Sequence, residues 1–150
     1  MLNDHPINVP NLCTPQADVL ACGMPTEQDL QDAAKKGVKT IINLCPLEET
    51  PPNEASSVQA LGMAYVNIPI RSAQDLTIEA ARQLAEVMDD CERHPVLVHC
   101  RSANRVGALM ALKEYWFGGK SAAEAMATGR NAGLTKLEAG VMDIMRRLPA

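Results

Sequence analysis

At 150 residues, 47% of them apolar, the chain suits one domain and is long enough to bury a sizeable core. Fourteen Lys and Arg against eighteen Asp and Glu leave a formal charge of −4, which excludes a global attraction to nucleic acid or anionic membrane and makes any anion site a local one. Aromatics are only 3%, too few for base-stacking platforms, so aliphatic, Ala and Met side chains must fill the interior.

The cysteines, at 13, 22, 45, 91 and 100, lack the paired spacing of a metal site and read as free thiols, so no metal is expected. No stretch approaches the roughly 20 apolar residues that cross a bilayer, and the opening residues lack a signal-peptide pattern. A cytoplasmic protein is expected, although a chain begun after a removed leader would read the same.

Residues 1–16, rich in Pro and Asn, read as an extended surface segment, and 17–150 as the folded domain. Asp18 to Cys22 reads as a short strand. Residues 26–36 form a helix, with Thr26 and Asp29 spaced as a capping box and Gly37 at its end. Val38 to Leu44 is a β-branched run and a strand; Pro46, Pro51 and Pro52 then impose a loop over 45–52. Asn53 is placed to cap a short helix reaching Leu61. Met63 to Ile70 is the next strand, and a loop through Asp75 leads to a helix over 77–91, with Ile78, Ala81, Leu84, Ala85 and Met88 on one face. Pro95 to His99 reads as a strand buried on both faces. The helix over 105–117 is apolar nearly all round, as a covered central helix should be. Ser121 with Glu124 and Thr135 with Glu138 are capping-box spacings for two further helices, the last with Leu137, Val141, Ile144 and Leu148 on one stripe. Met110, Met126, Met142 and Met145 fall at helical spacings and read as core.

Strands alternating with helices predict an α/β three-layer sandwich around a mostly parallel sheet, with its ligand beyond the strands' carboxyl ends. The loops after Leu44, Ile70 and His99 all leave strands at that edge. Among them, His99-Cys100-Arg101-Ser102-Ala103-Asn104-Arg105 joins a buried strand to a buried helix, so consecutive N–H groups of residues 101–105 can curl around a tetrahedral oxyanion such as phosphate or sulfate. The same field favours thiolate over thiol and makes Cys100 a nucleophile. Arg105, at the helix start, can hold two oxygens with its planar fork. His99 should support the loop through a ring hydrogen bond, its side chain pointing away from that of Cys100. Asn43 is placed to brace the Cys100 loop or to cap the sheet edge, and Glu48 and Glu49 read as solvated loop charges.

His-Cys followed by an Arg-containing loop, after an apolar strand and before a helix, resembles the signature of protein tyrosine and dual-specificity phosphatases. With Gly23-Met24-Pro25-Thr26, Gln28-Asp29-Leu30, Gly37 to Leu44 and Asn131-Ala132-Gly133-Leu134, the chain is similar to the small bacterial phosphatase-like family called beta-lactamase-hydrolase-like, over about residues 17 to 140. The resemblance implies a protein-tyrosine-phosphatase-like fold and hydrolysis of phosphomonoesters through a phospho-Cys100 intermediate, without a cofactor. It also implies a general acid in the loop after the third βα-type strand. Ser72 stands near the usual Asp position, and the nearest carboxylate is Asp75, which as readily reads as a helix cap. Cys45, in Asn-Leu-Cys, resembles lipid-phosphatase relatives in which that cysteine can pair with the nucleophile; a structural thiol is the simpler reading.

Two departures stand out. Four residues separate Cys100 from Arg105 where these phosphatases usually have five, a spacing also similar to the rhodanese sulfurtransferase loop. Val106 stands where a Ser or Thr usually helps the cysteine depart, leaving Ser102 as the hydroxyl placed to substitute. Persulfide-based sulfur transfer and oxyanion binding with little turnover are therefore the competing functions.

Overall fold

The computed structural model describes residues 1–150. A five-stranded sheet in the order β1-β2-β5-β3-β4 forms the middle layer. Its strands are β1 (Cys13–Gln16), β2 (Val19–Cys22), β3 (Thr40–Asn43), β4 (Ala64–Asn67) and β5 (Val96–His99). β1 runs antiparallel to β2, and every other pairing is parallel. The first residues therefore do run over the surface, but the segment ends by adding an edge strand to the sheet.

Alternation along the strands divides the core in two. Leu20, Cys22, Ile41 and Leu97 face one layer, built from α1 (Glu27–Lys36) and α2 (Glu54–Ala60) through Leu30, Ala33 and Val58. Val19, Ala21, Ile42, Val96 and Val98 face the other, built from α3 (Ile78–Met88), α4 (Asn104–Phe117), α5 (Ala122–Asn131) and α6 (Glu138–Arg147). A strand buried on both faces must be apolar on both, which is why β2, β3 and β5 read as continuous runs.

The capping boxes of Thr26 with Asp29 and Ser121 with Glu124 are formed, and Gly37 closes α1 in the left-handed region at φ 103°. Thr135 and Glu138 form no such box: α6 begins at Glu138 after an uncapped Leu137, because the Thr135 N–H and hydroxyl both donate to Asn104 Oδ1. Asn53 likewise makes no side-chain cap. The expected strand over 63–70 is Ala64–Asn67: at its start Met63 N–H turns back to Val58 O at the end of α2, and past its end Ile68 and Ile70 N–H still donate to Asn43 O and Leu44 O. α3 stops at Met88, where Asp90 caps a short 3-10 turn over Cys91–Arg93. Ile78, Met142 and Leu148 are exposed rather than core.

β5 lies between β2 and β3, aligned so that Cys22, His99 and Asn43 share one row across the sheet. The three strands end together, and the loop at Cys100 starts from the middle of that edge.

Candidate active site

Cys100 is fully buried at the end of β5, its N–H donating to Cys22 O at 3.3 Å. The loop that follows is pinned on three sides. Met24 N–H donates to Arg101 O at 3.2 Å, and Gly23 lies so close that a Cβ there would sit 2.7 Å from that carbonyl. Ala103 adopts φ 71°, a left-handed conformation costly to any residue with a Cβ, and Gly133 packs against it. Asn104 Oδ1 accepts from the N–H groups of Thr135 and Leu137 at 3.0 and 3.3 Å, so α4 starts clamped to the segment before α6.

Held this way, the N–H groups of Arg101, Ser102, Asn104, Arg105 and Val106 donate to no backbone acceptor. Consecutive unengaged amides ahead of a helix form an anion cradle. Arg105 stands at its edge, with Nη1 donating to Ile70 O at 2.9 Å and Nη2 to Glu49 Oε1 at 2.8 Å. Arg101 is exposed and lines a cleft of about 570 Å³ with Met24, Glu48, Glu49, Thr50 and Pro51. A cleft of about 590 Å³ around Tyr115, Met126, Met142 and Met145 shares no residue with this site.

The supporting residues fall differently from expectation. Asn43 does not brace the Cys100 loop. Its Oδ1 accepts from Cys45 N–H at 2.8 Å and its Nδ2 donates to Thr50 Oγ1 and Tyr65 Oη, each at 2.9 Å, so it shapes the loop that carries Glu49. Asn67, unremarked in the sequence, donates to the carbonyls of Asn43 and Cys45 and closes the same turn. Glu49 is not a free loop charge, being ion-paired with Arg105, while Glu48 pairs with Arg71 at 2.7 Å. The signal for Glu49 was weak, since a Glu-Glu pair among prolines has the composition of any solvated turn.

His99 is fully buried on the α1/α2 face, opposite the core into which Cys100 packs. Its Nδ1 lies 3.4 Å from Cys100 O and its Nε2 2.9 Å from Glu54 Oε2, a buried partner on α2. Cys45 is fully buried, and burial, opposed by the Arg105 charge, pushes its thiol from 9.0 up to about 12. Burial and then Cys100 push the Cys22 thiol up as well. Neither is a ready nucleophile at neutral pH. Asp75 is half-buried and its Oδ2 accepts from Arg71 N–H at 2.8 Å; Thr77, not Asp75, caps α3.

A sheet in this order with a Cys-to-Arg cradle beyond its central strand is the architecture of cysteine-based phosphatases of the dual-specificity and protein tyrosine type. The chain belongs to the family described as DSP-PTPase phosphatase fused to NAD+ kinase, whose model matches residues 12–142, and it is a phosphoric monoester hydrolase of that group. A DUF442 candidate phosphatase from Shewanella putrefaciens CN-32 shares 27% identity at a TM-score of 0.71, with 93% of this chain and 94% of the other covered. Tk-PTP in its active form gives 22% and 0.71, covering 93% and 96%. The catalytic core of the PP-IP phosphatase Siw14 from S. cerevisiae gives 16% and 0.73, covering 94% and 87%. The last two bear on the fold alone. No curated protein matches the chain. No helix is long and apolar enough to cross a membrane.

Proposed function

We propose that the protein hydrolyses phosphomonoesters by transferring the phosphoryl group to Cys100 Sγ and then to water, on the four-residue loop between Cys100 and Arg105. The observation that supports this reading is the run of amides at Arg101, Ser102, Asn104, Arg105 and Val106 that donate to no backbone acceptor, in the loop that follows a buried cysteine at the end of the central strand.

The thiolate attacks phosphorus in line, the P–O bond to the leaving group breaks, and a proton donor supplies the departing oxygen. Amides and Arg105 stabilise the charge on the equatorial oxygens throughout. Asp75 is the proton donor in this reading, since its loop lies against Arg105 through Ile70. Water then attacks the phospho-cysteine, giving inorganic phosphate and restoring the thiolate. Val106 leaves no hydroxyl on the residue after Arg105, so Ser102 is the hydroxyl within the loop assigned to assist this second step. For both guanidinium nitrogens to reach phosphate, Glu49 must leave Arg105.

The test pairs hydrolysis of nitrophenyl phosphate with thiosulfate-to-cyanide transfer. Cys100→Ser should abolish hydrolysis while phosphate still binds, because the amides and Arg105 remain. Thiosulfate turnover exceeding phosphate turnover in the parent would assign the loop to sulfur transfer instead.

A further inference from the structure

The site as described uses His99 only as a brace, yet the ring is the first member of a buried polar chain that runs away from the cradle. Nδ1 faces Cys100 O at 3.4 Å, and a carbonyl oxygen can only accept, so Nδ1 carries a proton. Nε2 faces Glu54 Oε2 at 2.9 Å, so one more proton lies between them. Glu54 reaches this contact from α2, so the two ring nitrogens are engaged on opposite sides, by the Cys100 carbonyl and by the Glu54 carboxyl. Glu54 is 3% exposed and its Oε1 has no hydrogen-bond partner, so the contact with the His99 ring is what holds this buried carboxyl.

The groups around the pair do not take over that role. Tyr65 on β4 faces Glu54, and burial pushes its hydroxyl up to about 12. Cys22 on β2 and Cys45 after β3 are both held as thiols. Asp29 on α1 is spent on the Thr26 capping box.

We propose that Glu54 is a positioning residue for the reaction at Cys100, holding His99 as an imidazolium that fixes the Cys100 carbonyl. In a trans peptide the C=O and the following N–H point in opposite directions, so anchoring Cys100 O on the α2 side turns Arg101 N–H toward the cradle. The imidazolium also places positive charge one residue from the sulfur, which favours the thiolate. The assignment rests on Cys100 being the nucleophile.

Glu54→Gln keeps the shape and removes the charge. Iodoacetamide alkylation of each cysteine is followed by mass spectrometry across pH, with and without inorganic phosphate. In the parent, Cys100 should react below neutral pH ahead of the exposed Cys91, and phosphate should protect it. In Glu54→Gln the midpoint of the Cys100 profile should move up by about one pH unit and phosphate protection should weaken. In a His99→Asn background the same Glu54→Gln change should move neither. A parent Cys100 no faster than Cys91 would sink the nucleophile reading itself. A selective parent with an unchanged profile in folded Glu54→Gln would overturn only the role of Glu54. Should that variant fail to fold, nitrogen-15 NMR of the parent decides: protons on both His99 ring nitrogens at neutral pH support the proposal, and a bare ring nitrogen overturns it.

Discussion

Arg105 is the residue on which two demands converge, because the fork proposed to hold phosphate is occupied by Ile70 O on one side and Glu49 on the other. The Ile70 contact restrains the side chain without competing for charge, whereas the Glu49 carboxylate competes directly with any anion. Glu49 and Arg105 are about one-fifth exposed, so the pair is partly screened and worth about 1 kcal/mol at most. Replacing Glu49 by Gln should therefore lower the inhibition constant of inorganic phosphate by about two- to fivefold, measured by competition against nitrophenyl phosphate. An unchanged or raised constant would mean that Glu49 aligns the guanidinium rather than guards it.

At the scale of elements, the cradle depends on a buttress far from it in sequence, the turn between α5 and α6. Gly133 has φ 108° and a Cβ on it would meet that of Ala103 at 2.6 Å, with the Ala103 carbonyl at 2.9 Å. Gly133→Ala should cost about 2 to 4 kcal/mol in thermal or denaturant unfolding and weaken phosphate binding, since Ala103 must move. Gly62→Ala is the control: φ is 83° with nothing within 4 Å, so about 1 kcal/mol is lost and phosphate affinity is kept. Equal effects of both would show that only backbone strain is at stake. The same turn explains what could and could not be read in the sequence. Boxes such as Thr26 with Asp29 are legible because their bonds are local, and the Cys100 loop is legible because strand, loop and helix are contiguous. Thr135 with Glu138 has the same spacing and no box, because Asn104, two helices earlier in the chain, takes the Thr135 donors. Glu49 and Glu54 stayed hidden for a related reason. Their partners, Arg105 and His99, come from α4 and β5, and nothing local distinguishes a carboxylate that will meet a side chain distant in sequence from one facing water.

Across the whole molecule, the sparse aromatic content leaves much of the buried hydrogen-bond and thiol chemistry to a few residues near the sheet edge. Cys22, Cys45 and Tyr65 all have their neutral forms stabilised by folding, from ordinary values of 9.0, 9.0 and 10.0. Their folded values lie above the unfolded ones, so the stability they contribute is complete below about pH 9 and is lost as pH rises toward about 12. Melting temperature should fall steeply in that window, and Cys22→Ala should flatten the fall while lowering stability at neutral pH. A slope unchanged by that substitution would place the alkaline transition elsewhere. The strand order has a further consequence. β5 is hydrogen-bonded on both edges and buried on both faces, while Leu47 on the loop across the cradle is 74% exposed. The two sides of the site thus belong to different cooperative units: amides of Val96 to Cys100 exchange with solvent only through global unfolding, and those around Glu49 through local opening. The proposed phosphate cradle is in this sense prefabricated, and in that reading adaptation to a substrate falls to the loop that carries Glu49.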